Sequence, residues 1–192
     1  MVQKNKEQSI KEPVSLFSDN GTSFYFGRYD QDGWKDCVEW VVLDTQGKYM
    51  LLVSRYALDV CTAEEEALNK WTRKFYDTAF DPLEQAAVVD TSAIRLSDWN
   101  DDGRQQNKVF LLTREEFERY IHLPEERKHT PTPYAVSKGA PERCWGWLWP
   151  KAVKNHQSGI VTSSGGFSTN HIDRIGAVRP ALWLDAEKLN AE

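Results

Sequence analysis

The stretch CWGWLWP, residues 144–150, places Trp145, Trp147 and Trp149 at every second position. Successive side chains of a β-strand point to opposite faces, so an extended reading puts the three indoles on one face and Gly146 and Leu148 on the other. Against a layer of helices those rings are core, and burying even one is worth on the order of 2–3 kcal/mol. Left in water, the same triple would be an aggregation hazard. Trp145 and Trp147 are therefore expected inside. Trp149 stands before Pro150, at the strand exit, and is the candidate to reach a pocket, where its ring offers contact area and its N–H a donor.

Downstream, GIVTS (159–163), a Gly165-Gly166 turn, FSTN (167–170) and GAVRPALWLD (176–185) read as strands and loops only. Pro180 within the last of them signals an edge or a bulge. Arg179 alternates with Val178 and Pro180, and is expected to face the other way and pair with a carboxylate. Upstream, SFYFGRY (23–29) reads as a strand stopped by DQDG. CVEWVVLD (37–44) and YMLLVSR (49–55) flank the short turn TQGK as a hairpin.

The hydrophobic period changes after Cys61. Thr62 with Glu65 has the form of a capping box, and Ala67, Leu68, Trp71 and Phe75 then recur at helical spacing. Asp81-Pro82-Leu83-Glu84 repeats the start signal with proline at the first helical position, predicting a short helix through Val88. KVFLLT (108–113) returns to strand. Thr113 with Glu116 caps another short helix with Phe117 and Ile121 on its inner side. HTPTPY (129–134), with two prolines, is expected to lie outside regular structure. Residues 1–20 read as a polar tail and 21–192 as one domain. Helices in the middle and strands at both ends imply α+β: an antiparallel sheet whose first strands pair with its last, two or three short central helices, and long late loops.

A net charge of -5 over 192 residues argues against nucleic-acid binding, which needs a basic face. The short basic piece Lys151 to His156 reads as a solvated loop. Cys37, Cys61 and Cys144 are odd in number and form no CxxC pair, so neither a zinc knuckle nor a dithiol site is written here. The start, MVQKNKEQSIKEP, lacks the apolar core of a signal peptide, and no run approaches the ~20 apolar residues of a membrane span. A cytoplasmic protein is the expectation, with a trimmed secreted one as the alternative. Nothing sets an oligomeric state.

No cofactor is expected, with one candidate exception. In DWNDDG (98–103), Asp98, Asn100, Asp102 and Gly103 match the opening of a calcium loop. Calcium wants six to eight oxygens, and position twelve would be Val109 instead of a bidentate Glu. A polar turn held by Asx hydrogen bonds is the alternative. DQDG (30–33) is a weaker version. The histidines, His122, His129, His156 and His171, form neither HxH nor HxxxH. Cys144 would be a nucleophile only beside a histidine, and otherwise a small buried thiol.

FGRYDQDG, EWVVLD, LLVSRYALD, FYDTAF, EQAAV, KVFLLT and AVRPALWL occur in that order. Together, from about Phe24 to Leu184, they resemble the bacterial domain-of-unknown-function family 6273, which implies no established activity. Its members commonly read Trp-Trp-Leu-Arg-Ser-Pro near the Trp-rich strand; here Gly146 replaces one ring and Trp149 the arginine. More loosely, the Trp-rich strand and the closing G-x-VRPAL pattern look like the C-type-lectin-like fold shared by sulfatase-modifying factors. That likeness implies paired terminal strands and late loops presenting a ligand. Trp99-Asn100-Asp101 is similar to the WND triplet of calcium-dependent lectins, but the partner triplets are absent. The copper-dependent enzymes of that group use a late cysteine pair, and no cysteine follows Cys144.

The functional expectation is a non-catalytic module that binds a protein, peptide or glycan, with Trp149, His156, Asn170 and His171 as its contact residues. A sulfatase-modifying-factor-like metal enzyme and an accessory domain of a bacterial assembly are the alternatives.

Overall fold

The computed structural model describes residues 23–90, 107–141, 143–149 and 155–189. The expected polar tail and the candidate calcium ligands Asp98, Asn100 and Asp102 lie outside them.

The first strands form as their composition requires. β1 (Ser23–Asp30), β2 (Lys35–Gln46) and β3 (Tyr49–Ser54) make an antiparallel meander. Gly47, with φ of 60°, supplies the left-handed turn between β2 and β3. The chain returns to this sheet at its end: β11 (Pro180–Asp185) pairs antiparallel with β3, so first strands do meet the last. On the far edge of β11 lie β5 (Val88–Val89) and β6 (Val109–Leu111).

A second sheet runs in the order β4 (Asp59–Cys61), β10 (Gly176–Val178), β7 (Gly146–Trp147), β8 (Gln157–Val161), β9 (Phe167–His171). The expectation of a single antiparallel sheet is corrected here. The molecule has two, and β7 with β10 is a parallel pair. The break falls at Arg179. The run GAVRPALWLD does not continue as one strand: β10 belongs to the second sheet and β11 to the first. Pro180 thus marks neither an edge nor a bulge. It opens a central strand, at the first position, where a missing N–H is tolerated. Arg179 is buried in the seam and donates to two main-chain carbonyls, Ser54 O at 2.6 Å and Glu126 O at 2.9 Å, instead of the expected carboxylate. Burial, with Arg55 nearby, pulls its pKa down to about 10, which leaves it charged at neutral pH.

Six helices occur among the described residues, against the two or three expected: α1 (Glu65–Ala79), α2 (Pro82–Ala87), α3 (Arg114–Tyr120), α4 (Pro124–Arg127), α5 (Pro133–Ser137) and α6 (Ala186–Leu189). α1 buries Leu68, Trp71 and Phe75, the positions its period selects, whereas Ala67 is only half-buried. Phe75 meets Trp40 edge-on at 6.4 Å and Phe80 stacks on Phe26 at 4.9 Å, so the main core lies between α1 and the first sheet. Asp59 ties the layers, accepting from Tyr29 Oη at 2.6 Å and Trp71 Nε1 at 3.0 Å.

The capping boxes at Asp81–Glu84 and Thr113–Glu116 are both formed. The one at Thr62–Glu65 is not. Ala63 is held extended, its N–H on Ile172 O at 2.8 Å, so α1 starts later, on Glu64, without a side-chain cap. The 129–134 segment is also more regular than its prolines suggest. Pro131 forms a bridge with Ala57, and Thr132 caps α5, which opens on Pro133. Both prolines sit where no donor is needed.

Candidate functional site

The Trp-rich stretch is a strand for two residues only. Trp147 is 1% exposed and its Nε1 donates to Cys61 O at 2.9 Å. Trp145 is half-buried and meets Trp147 edge-on at 5.0 Å. Leu148 still bonds β8, its N–H on Gly159 O at 3.0 Å. Then the chain turns away: Trp149 N–H donates to Leu112 O at 3.0 Å, just before α3. The third indole therefore leaves the β8 ladder and crosses towards the helix layer.

That departure borders a groove of about 410 Å³. Leu148 and Trp149 form one side, Ser158, Gly159, Ser168 and Thr169 come from β8 and β9, and Arg114, Glu115 and Phe167 complete it. Gly159 matters because a Cβ there would stand 3.1 Å from Leu148 Cδ1 and fill space beside the groove. Trp149 is 7% exposed, so little of its ring is open to the groove.

Phe167 is fixed by the hairpin turn and by cations. Gly165, with φ of 81°, lets the turn lie flush on α4, where a Cβ would overlap the Pro124 carbonyl. Gly166 N–H donates to Thr162 Oγ1 at 3.1 Å. The guanidinium carbons of Arg114 and Arg127 stand 5.0 and 5.1 Å from the Phe167 ring centre. Behind the ring, Phe117 is 6.4 Å from Phe167 and 6.0 Å from His129. Ser158 is buried, and its Oγ has no hydrogen-bond partner.

The other expected contact residues gather elsewhere. His156 is exposed in the turn before β8, at a φ of 54°, and its carbonyl accepts from Ile172 N–H. Asn170 is half-buried on β9, its Oδ1 accepting from His171 N–H at 2.9 Å. His171 is exposed and pairs with Gln157 across the hairpin. These three share the open end of the β8–β9 hairpin and are not among the residues lining the groove at Trp149. Within the late segment 163–176, expected as loop, Phe167–His171 form β9. The groove's Arg114 and Phe167 went unnoticed in the sequence because they are neighbours only through folding.

The thiols of Cys61 and Cys144 are poor nucleophiles. Burial pushes Cys144 up to about 11 and, with Asp59 adding to it, Cys61 to about 12. Among the described residues no cluster of three His, Cys, Asp or Glu side chains is placed to hold a metal. No helix among them is long and apolar enough to cross a membrane.

Comparison with curated proteins and with solved structures finds no match. A family comparison does: residues 19–186 match a domain of unknown function. That span takes in both sheets and every element from β1 to the last strand, and the chain belongs to the family DUF6273.

Proposed function

We propose that the protein is a non-catalytic binding module whose ligand, a peptide segment, lies in the groove beside Trp149. The observation that carries this reading is the groove itself. Its volume, about 410 Å³, falls in the range of ligand sites. Its lining combines apolar side chains with hydroxyls, one guanidinium and one carboxylate, and among the described residues it includes neither histidine nor cysteine. A glycan is the less suited occupant. Sugar rings stack on open aromatic faces, but Trp149 is nearly covered and Phe167 carries two guanidiniums. The pairing of the first hairpin with the closing strand supports a C-type-lectin-like reading of the scaffold, in which late segments present the ligand.

The test is selection from a random heptapeptide library and, in parallel, a glycan array. The protein is used as it is and as Trp149→Ala, Phe167→Ala and, at the hairpin end, His156→Ala, Asn170→Ala and His171→Ala. Peptide capture that disappears in the two groove variants while their melting temperatures still report a folded protein supports the reading. Capture unchanged in every variant, or capture of glycans alone, removes it.

A further inference from the structure

We infer that the groove selects a peptide carrying a carboxylate next to an apolar side chain, with Arg114 as the residue that receives the carboxylate. This rests on the peptide-groove reading above and adds the ligand's charge.

The argument comes from what the cations near the groove have left to bind. Arg114 Nε donates to Glu118 Oε1 at 2.9 Å, and its two Nη groups have no partner among the described residues. Its side chain is 60% exposed, so those donors are accessible. Packing on Phe167 holds the planar head in place, and a guanidinium presents paired N–H groups that match a carboxylate. Arg127 stands against the same ring. Its Nε donates to Ile121 O at 2.6 Å and its Nη2 to His122 O at 3.0 Å, both neutral carbonyls. No carboxylate among the described residues pairs with it. One cation is thus half-satisfied and the next is bonded but not neutralised, around a ring that lines the groove. Ser168 adds an exposed hydroxyl on the β9 side. Glu115, next to Arg114 in sequence, also lines the groove and is itself engaged in a contact. Leu148 and Trp149, which also line the groove, favour an apolar neighbour.

The experiment uses two heptapeptide pools with randomised flanks, one centred on Leu-Glu-Leu and the other on Leu-Gln-Leu. Each is titrated against the full chain and against Arg114→Gln and Arg127→Gln. The expected result is a preference of about tenfold or more for the Glu pool, since a charge-assisted pair replaces a neutral one. The preference should shrink with salt and vanish in Arg114→Gln, whereas Arg127→Gln should reduce it only in part. Equal binding of the two pools overturns the carboxylate selection and leaves the peptide groove standing. A preference that survives in Arg114→Gln overturns the role given to that residue. Binding of neither pool overturns both readings.

Discussion

β11 lies inside the first sheet and β9 ends the strand order of the second, and they are made of different material. All six residues of β11, Pro180 to Asp185, are buried, and partners flank it on both edges. β9 reads Phe-Ser-Thr-Asn-His, no residue in it is fully buried, and β8 is its one partner among the described residues. The first sheet is where apolar area leaves water; the second ends in an open, hydroxyl-rich hairpin bordered by cations. On the proposed reading, stability and recognition fall to different sheets, with Arg179 at the joint. A ligand surface can change there without rebuilding the core, which is the usual division between a rigid scaffold and the segment that does the binding.

The most damaging way to test this division is at the centre of the first sheet. Leu182 is fully buried, opposite Leu52 of β3 and Val109 of β6. Leu182→Ala should cost about 2–5 kcal/mol, the loss of a buried side chain plus the cavity it leaves. Urea unfolding measures it. A loss below about 1 kcal/mol would mean that β11 does not anchor the fold.

A second test lies between the sheets, at His129. The imidazole is 1% exposed, and neither ring nitrogen has a hydrogen-bond partner. It fills the space where a side chain on residue 146 would sit, so Gly146 and His129 are two halves of one packing solution. Burial and the Arg179 cation push its pKa down to about 3, and the backbone at Arg127, which favours the charged form, offsets this only partly. In the unfolded chain the ring takes a proton near the ordinary value of about 6.5. Between those values the unfolded state binds more protons. Stability from this group is therefore fully present above about pH 6.5 and falls by roughly 1.4 kcal/mol per pH unit below it. Urea midpoints taken from pH 7 to pH 4 give the slope, and His129→Leu should flatten it by about that amount. An unchanged slope would show that the imidazole is not held neutral. Gly146→Ala should be destabilising by about 1–3 kcal/mol, and less so in a His129→Ala background, where room for the new methyl exists.

The same contrast explains what could be read from the residues alone. The hairpin of 37–44 with 49–55 and the helices capped by Asp81 and Thr113 follow from local period, turn chemistry and reciprocal caps, relations among residues close in sequence. The pairing of first and last strands follows instead from the order of strand and helix patterns along the chain. The sheet switch at Arg179 was only partly legible: Pro180 marks a disturbance in the run GAVRPALWLD, but only the arrangement of β3 and α4 around it turns that disturbance into a change of sheet. Thr62 and Glu65 have the right spacing for a cap, but Ile172, far along the chain, takes Ala63 first. The groove was half legible. Alternation and Pro150 single out Trp149 as the ring that leaves the strand. Arg114 and Phe167 belong to different elements, and nothing in their own neighbourhoods announces that they meet.

The finest test is at the rim of the groove. Ser168 is exposed on β9, opposite Ile160 of β8, and no core contact depends on its hydroxyl. Ser168→Ala should leave stability within about 0.5 kcal/mol of the parent, the usual range for a surface change away from caps and buried partners. If the peptide groove is real, the same change removes one donor from it and should weaken capture several-fold, as loss of a single neutral hydrogen bond does. The two readouts must separate for the division between sheets to hold. A stability loss comparable to that of Leu182→Ala would mean that β9 unfolds together with β11, and that the open hairpin is as much scaffold as the strand it was contrasted with.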